Sequence, residues 1–295
     1  MRFLPVLAFA LLAAPAFAQP LDFGGTPGSA PVPIQITAAT GITWSQDAQT
    51  VTAMGGAKAV RGDVTVVADE LVAHYHKQAG ATPAAAQTDA LAGGQAKLTA
   101  LEAIGHVHIY TATDNAWGDH AVYTMDSAVL VLTGQHLKLT TPQDVITARD
   151  SIEYYSVKRM AVARGNALIV SDDGRSLAAD TITGYLSAPT QAPTPAPKPG
   201  ADELAQAGNL QRVEAVGHVV VHTTTDTATG DTGVYLPPTG QARLGGDVHI
   251  VHGGNELAGS DALINMKTGI ATLLAGPTGQ VSGVLLPGSS TGAAP

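Results

Sequence analysis

A duplicated stretch constrains the fold of this chain more than any other feature of its sequence. Residues 101–123 read LEAIGHVHIYTATDNAWGDHAVY, and residues 213–235, 112 positions later, read VEAVGHVVVHTTTDTATGDTGVY. Thirteen of the 23 aligned positions are identical, including the glycine pair Gly105 and Gly217. Self-similarity of this order indicates one supersecondary unit that is used more than once, so the repeat has to be understood before any single residue is given a role.

The duplicated stretch alternates between two faces, as a β-strand does. One face of the first copy holds only apolar or small residues: Leu101, Ala103, Gly105, Val107 and Ile109. The same face of the second copy does so too: Val213, Ala215, Gly217, Val219 and Val221. One face of this unit is therefore predicted to line a core or a lumen.

Degenerate copies of this unit follow one another along most of the chain. Seven units of about 25 residues can be traced from residue 51 to the region after Gly269, each with two apolar runs of four to eight residues and a recurring Gly and Asp. The chain is rich in Gly, Ala, Val and Thr, with 13% charged and 4% aromatic residues. This composition suits stacked strands, so we predict an all-β fold. The period by itself fits a parallel β-helix about as well as an antiparallel arrangement.

The N-terminus has the features of an export signal. Met1 and Arg2 precede an apolar run that ends on Ala16-Phe17-Ala18, which predicts a signal peptide over residues 1–18 that is cleaved after Ala18. The chain has no cysteine, so neither a lipid anchor on cysteine nor a disulfide framework is expected. The prediction is therefore a secreted protein that is stabilised by burial and backbone pairing.

The remaining segments divide by composition. Residues 19–33 are rich in Pro and Gly and are predicted to be a flexible leader, and 34–287 to be the folded domain. Two Ala/Pro-rich inserts, 78–97 and 187–209, interrupt the domain and are predicted to be disordered surface loops. Residues 288–295 are predicted to be a disordered tail.

The polar residues do not single out a reactive site. Histidines recur in close pairs, but two ligands on a strand make neither a closed nor a catalytic metal site, so no metal or cofactor is predicted. One Asp recurs per unit and is interpreted as a turn residue that fixes where the next strand begins. No nucleophile elbow, phosphate loop or dinucleotide motif is present, so no catalytic residue is predicted. The formal charge of −9, or −10 without Arg2, argues against nucleic acid as a partner.

The repeated pattern apolar-x-Ala-x-Gly-x-Val-x-apolar followed by Gly-Asp-x-x-x-Tyr, as in 101–123 and 213–235, resembles the OstA-like family. An ADELVAHY strand at 68–75 and a Gly-Val-Leu-Leu-Pro ending at 283–287 add to the resemblance. This family comprises the periplasmic, LptA-like lipopolysaccharide-transport proteins. The resemblance implies an incompletely closed antiparallel β-jellyroll that is not an enzyme, lies in the periplasm, and shields the acyl chains of lipid A on their way to the outer membrane.

The resemblance also implies partners and a site. The partners would be lipopolysaccharide through its lipid A, an inner-membrane LptC-like and an outer-membrane LptD-like jellyroll, and further copies of the same chain arranged head to tail. The inward residues that we expect to contact lipid are Leu101, Val107, Ile109, Leu130, Leu132, Val213, Val219, Val221, Val248 and Ile250. The residues expected at the partner-binding strand edges are Ile34, Ile36, Ile42, Val281, Val284 and Leu286.

A second functional class is compatible with the repeat. An exported β-helical enzyme or polysaccharide-binding protein would place a cluster of polar residues at fixed positions that break the repeat. A lipid carrier would keep apolar residues at the inward positions throughout, and the sequence favours this second pattern. A third alternative is an extracellular structural repeat protein.

Overall fold

The structure of the protein is a computed structural model, in which residues 34–77, 96–187, 210–252, 255–265, 268, 270–276 and 279–284 are described. The segments predicted to be the signal peptide, the leader and the tail lie outside the described residues, as does nearly all of both inserts. Residues 96–97, predicted to end the first insert, instead begin a strand. Among the described residues, no helix is long and apolar enough to cross a membrane.

The described part of the chain forms one sheet of eighteen strands. The strands are β1 (Gln35–Thr37), β2 (Gly41–Ser45), β3 (Thr50–Arg61), β4 (Val64–Lys77), β5 (Ala96–Tyr110), β6 (Asn115–Thr124), β7 (Val129–Thr133), β8 (Leu137–Thr140), β9 (Asp144–Ala148), β10 (Ser151–Tyr155), β11 (Met160–Ser171), β12 (Ser176–Leu186), β13 (Leu210–His222), β14 (Asp226–Leu236), β15 (Gln241–His252), β16 (Asn255–Asn265), β17 (Ile270–Leu274) and β18 (Ser282–Val284).

Every strand pairing in this sheet is antiparallel, and most strands pair with their neighbours along the chain. The antiparallel arrangement implied by the resemblance is therefore confirmed, and the parallel β-helix alternative is wrong. The apolar runs on the two sides of the glycine in a unit do not form separate short strands. They belong to one longer strand, and most strands have 10 to 15 residues. The short strands lie in succession beside the two halves of one long, bent strand. For example, β2 pairs with the first half of β3, and β1 pairs with its second half.

A bulge bends each long strand near its middle. Between β5 and β6 the pairing register shifts from Ile104 to Val107, and between β13 and β14 it shifts at the equivalent place in the second copy. The extra residues are Gly105 and His106, whose φ angles are 75° and 47°. Two successive positive φ angles turn the chain sharply, which is what a bulge at a sheet corner requires.

The bulges divide the sheet into two walls. The first wall contains β2, β7, β10 and β17 together with the halves of the long strands that pair with them. The second wall contains β1, β8, β9 and β18 with the remaining halves. Leu71 and Leu132 of the first wall share one hydrophobic core with Ile109 and Val248 of the second wall. The walls therefore face each other across a common apolar interior.

Four of the recurring aspartates at this corner, Asp69, Asp119, Asp180 and Asp231, lie inside strands and not at the strand beginnings where they were predicted, whereas Asp150 lies directly before β10. Each one contacts a bulge glycine of a neighbouring strand, and a Cβ atom added to Gly105 would lie 2.3 Å from Asp69 Oδ2. The pairs are Gly105–Asp69, Gly134–Asp119, Gly165–Asp150, Gly217–Asp180 and Gly246–Asp231. The Gly and Asp that recur in each unit are therefore the two sides of one corner contact.

The sheet does not close on itself. In the part of the chain that the structure describes, β1 and β2 pair only with β3, whereas β17 and β18 pair only with β16. No pairing joins the first strands to the last ones among these residues. The incomplete closure that the resemblance implies is therefore present, with one free strand edge at each end.

Candidate functional site

The apolar interior between the two walls is the candidate site. All ten residues predicted to contact lipid lie on its inner face. Seven are buried: Val107, Ile109, Leu132, Val213, Val219, Val248 and Ile250. Three are partly buried and pack against the buried cores: Leu101, Leu130 and Val221. The alternation of side chains along each strand therefore turns a row of apolar residues inwards. The role of these ten residues in lipid binding stays a prediction.

A cavity lies in this interior at the end formed by the first strands. Its volume is about 50 Å³, and its walls are apolar. Residues of both walls line it, including Ile36 and Ile109 of the second wall and Leu101 and Leu130 of the first wall. An apolar cavity of about 150 Å³ holds one benzene molecule, so this cavity is smaller than an acyl chain requires.

Aromatic side chains line the inner face of the first wall. Tyr123 is 3% exposed and pairs across the sheet with Leu130, which in turn pairs with Tyr154. Tyr75 is 2% exposed, and its hydroxyl group accepts a hydrogen bond from Trp44 Nε1. None of these tyrosines was among the predicted site residues, although the spacing Asp-x-x-x-Tyr is a signal that locates Tyr123 and Tyr154.

Burial also changes the chemistry of one of these tyrosines. Tyr154 packs against the core, and burial raises the pKa of its hydroxyl group above the ordinary value. The positive charge of Arg159 acts in the opposite direction and lowers this pKa. The effect of burial is the larger of the two, so this hydroxyl group stays protonated at neutral pH.

The histidines lie on the outer face, where they meet carboxylates of neighbouring strands. His106 Nδ1 lies 2.7 Å from Asp69 Oδ2, and His218 Nδ1 lies 2.9 Å from Asp180 Oδ2. The two contacts occupy equivalent positions in the two copies of the repeat, and each joins a bulge residue to an aspartate of the neighbouring strand. The hydrogen bond to the neighbouring aspartate raises the pKa of both His106 and His218 above the ordinary value for histidine.

A second network on the outer face joins three strands. The carboxylate of Glu102 lies 2.7 Å from His120 Nε2 and 3.1 Å from His74 Nε2. The hydrogen bond to His120 is the largest cause of the lowered pKa of Glu102, and it outweighs the opposing effect of burial. Within the described ranges, no group of three or more His, Asp or Glu side chains is arranged to hold a metal ion. The Glu102 carboxylate therefore joins three neighbouring strands through hydrogen bonds to two histidines.

The residues predicted at the strand edges fall into two groups. Ile42 of β2 and Val284 of β18 are 53% and 61% exposed on the two free edges, and Val281 precedes β18 with 45% exposure. Ile34 and Ile36 turn inwards instead and line the cavity, although the backbone of β1 forms the edge. Leu286 lies outside the described residues.

Residues 35–159 match the family described as LptA/(LptD N-terminal domain) lipopolysaccharide transport protein. No curated protein sequence matches the chain. The crystal structure of LptH, the LptA-homologous periplasmic component of the conserved lipopolysaccharide transport device of Pseudomonas aeruginosa, aligns at 17% sequence identity and a TM-score of 0.39. The alignment covers 49% of this chain and 95% of LptH. Over residues 35–159, the family match confirms the resemblance inferred from the repeated motif, and a family of lipopolysaccharide-transport proteins agrees with the prediction that the protein is not an enzyme.

Proposed function

We propose, from the match of residues 35–159 to the family of LptA and the N-terminal domain of LptD, that the protein is a periplasmic lipopolysaccharide-binding bridge. In this proposal the interior between the walls shields the acyl chains of lipid A during transport from the inner to the outer membrane. The observation that carries the proposal is the unbroken apolar inner face between two free strand edges.

The energetics favour a continuous apolar path over a specific binding pocket. Each Å² of acyl surface that is kept from water contributes about 25 cal/mol, and this contribution needs no directional contact. Rows of Val, Leu, Ile and Ala supply such a surface along the whole interior. Since the cavity is only about 50 Å³, lipid binding must also separate the walls, and the open sheet permits this because no pairing joins β1 or β2 to β17 or β18 among the described residues.

The free edges supply the proposed partner contacts. An unpaired strand edge offers its backbone N–H and C=O groups to another strand, and β-augmentation uses these groups to join two sheets. An LptC-like jellyroll at one edge and an LptD-like jellyroll at the other would continue the apolar interior from membrane to membrane. We also propose that a second copy of this chain can pair with either edge.

Photo-crosslinking in the native cell envelope tests the lipid contact. A photoreactive amino acid placed at Val107 or Val219, which are each 1% exposed on the inner face, is expected to label lipopolysaccharide. The matched control is Val170, which is 38% exposed on the outer face and is expected to give no label. Protein that copurifies without lipopolysaccharide, together with inner positions that never label it, would refute the carrier function.

A further inference from the structure

The later strands of the chain repeat the earlier ones in order. We call β1–β8 the first module and β9–β15 the second module. β9 and β10 pair with β11 as β1 and β2 pair with β3, and β15 pairs with β14 in the place where β7 and β8 pair with β6. The corner contact Gly105–Asp69 recurs as Gly217–Asp180. Residues of the first module therefore have equivalents 110 to 112 positions later, although the family match ends at residue 159.

A buried apolar cluster closes the rim of the first wall in the first module, where the rim is the edge of the wall farthest from the corner. The cluster consists of Val51, Ala73 and Tyr75, against which Leu98 and Leu101 pack. Its three buried members are only 2% to 8% exposed. Trp44 Nε1 donates a hydrogen bond to the Tyr75 hydroxyl group and so joins β2 to this rim cluster. The protein's own side chains therefore fill the inner face here.

The second module does not reproduce the rim cluster. The pairing register assigns its equivalents as Ala161 for Val51, Gly184 for Ala73, Leu186 for Tyr75, Leu210 for Leu98 and Val213 for Leu101. Four of these five residues are smaller than their counterparts. Tyr154 takes the place of Trp44 beside Ala161. Since Leu186 has no hydroxyl group, the hydrogen bond that joins β2 to the rim cluster has no counterpart here.

The rim of the second module is open as a result. Ala161, Gly184 and Leu186 are partly exposed, whereas their three equivalents in the rim cluster are buried. Leu210 is 38% exposed, and a Cβ atom added to Gly184 would lie 3.3 Å from Leu210 Cδ1. This contact places Leu210 on the inner face with Gly184, which pairs with the buried Val213. An apolar inner face that protein side chains fill in one module is thus accessible in the other, as a surface for an apolar ligand is.

We propose that the open rim of the second module binds an acyl chain of an amphiphile, in the place that the rim cluster fills in the first module. The open rim is lined by Tyr154, Ala161, Gly184, Leu186 and Leu210. This inference rests on the proposed function, because it assumes that the inner face takes acyl chains. An alkyl chain gains from apolar contact alone, and none of the lining residues carries a charge.

The composition of the neighbouring segment favours a lipid over the chain itself as the occupant. Residues 187–209 join Leu186 to Leu210 in the sequence. Leu204 is the one large apolar residue in this segment, which otherwise consists of small, polar and charged residues and proline. The segment therefore has little apolar surface with which to replace the side chains of the rim cluster.

Photolabelling of the full chain tests the open rim. The probe is dodecyl glucoside with a photoreactive diazirine at the end of its alkyl chain, and mass spectrometry locates the labelled residues. In the wild type we expect label on residues 154–161, 184–186 and 210. The double variant Ala161→Val/Leu186→Tyr restores two side chains of the rim cluster and is expected to lower this labelling by about tenfold, the effect of excluding about two methylene groups from apolar contact.

Two further variants keep the test independent of folding defects. Ala161→Val alone adds two methyl groups and is expected to lower the labelling by about threefold, also if the double variant does not fold. Thr183→Tyr places a ring on the outer face of β12, next to the buried, inward-facing Ile182, and is the matched control with unchanged labelling. Labelling of the open rim that neither Ala161→Val nor the double variant reduces would overturn the proposal.

The remaining outcomes separate this inference from the proposed function. Label on the residues that line the cavity of the first module, with none at the open rim, overturns the open rim as a site and leaves the proposed function supported. A wild type that is labelled nowhere on the inner face overturns the proposed function itself. Label at the open rim that appears only after residues 190–206 are deleted would make this segment the occupant and would overturn the lipid.

Discussion

At the scale of single residues, the outer face links folding stability to pH. The pKa values of His106 and His218 are raised in the folded state by hydrogen bonds to Asp69 and Asp180. A raised folded-state pKa stabilises the fold fully below the unfolded-state value of about 6.5, and this contribution is lost as the pH rises through the folded-state pKa. Both side chains are exposed, so the effect is small and sensitive to salt.

The expected result is a difference in thermal midpoint that depends on pH. The double variant His106→Gln/His218→Gln should unfold below the wild type at pH 5.5 to 6, and the two midpoints should converge towards pH 8. Replacement of the exposed His136, which lies between β7 and β8, serves as the control. A gap between double variant and wild type that widens with rising pH would contradict the assignment of these ion pairs.

The corner glycines are a second case in which single residues affect the stability of the fold. Gly217 has a φ angle of 81°, and an added Cβ would lie 2.1 Å from Asp180 Oδ2. Gly217→Ala therefore combines backbone strain with a steric clash, and we expect it to lower the free energy of unfolding by about 2 kcal/mol or more. Gly62 has a φ angle of 57° with nothing within 4 Å of an added Cβ, so Gly62→Ala measures the strain alone. Equal losses in urea unfolding for the two variants would exclude a role for the corner contact.

At the scale of elements, we expect the two free edges to control association. Ile42 on β2 and Val284 on β18 are exposed apolar residues on edge strands. A lysine on an edge strand opposes pairing with another sheet, so Ile42→Lys and Val284→Lys are each expected to reduce concentration-dependent association in sedimentation velocity. Val216 is 55% exposed but lies on the central strand β13, and Val216→Lys is the matched control. Association that Val216→Lys reduces as strongly would place the contact on the sheet face.

At the scale of the whole molecule, we expect the binding of an acyl chain to depend on the space between the walls. Ala121 is 3% exposed and lines the cavity, whereas the adjacent Val122 points to the outer face. Ala121→Phe is expected to fill the cavity and to weaken dodecyl glucoside binding by at least about tenfold, at a cost in stability of about 1–3 kcal/mol for overpacking. Val122→Phe on the same strand is the control for stability. Unchanged binding by Ala121→Phe would mean that the acyl chain does not use this end of the interior.

Much of the fold could be predicted from the chain alone because strand alternation is a local property. The rows that contain Val107 and Val219 follow from a period of two, whatever the strands pair with. Strand length could not be predicted in the same way. In the sequence the glycine of each unit suggests the end of a strand, whereas in the structure it only bends the strand. The contact of each corner aspartate with a glycine could not be predicted for the same reason, because its glycine partner lies some 15 to 37 positions away.

The sequence by itself determined an all-β chain, the repeat, the inward apolar rows and a family resemblance carried by those rows, because each of these depends on residues that are close along the chain. Only the tertiary structure decided that pairing is antiparallel and that the sheet stays open at β1–β2 and β17–β18 among the described residues. These depend on contacts between distant segments, and the composition and spacing of a strand do not specify which strand lies beside it.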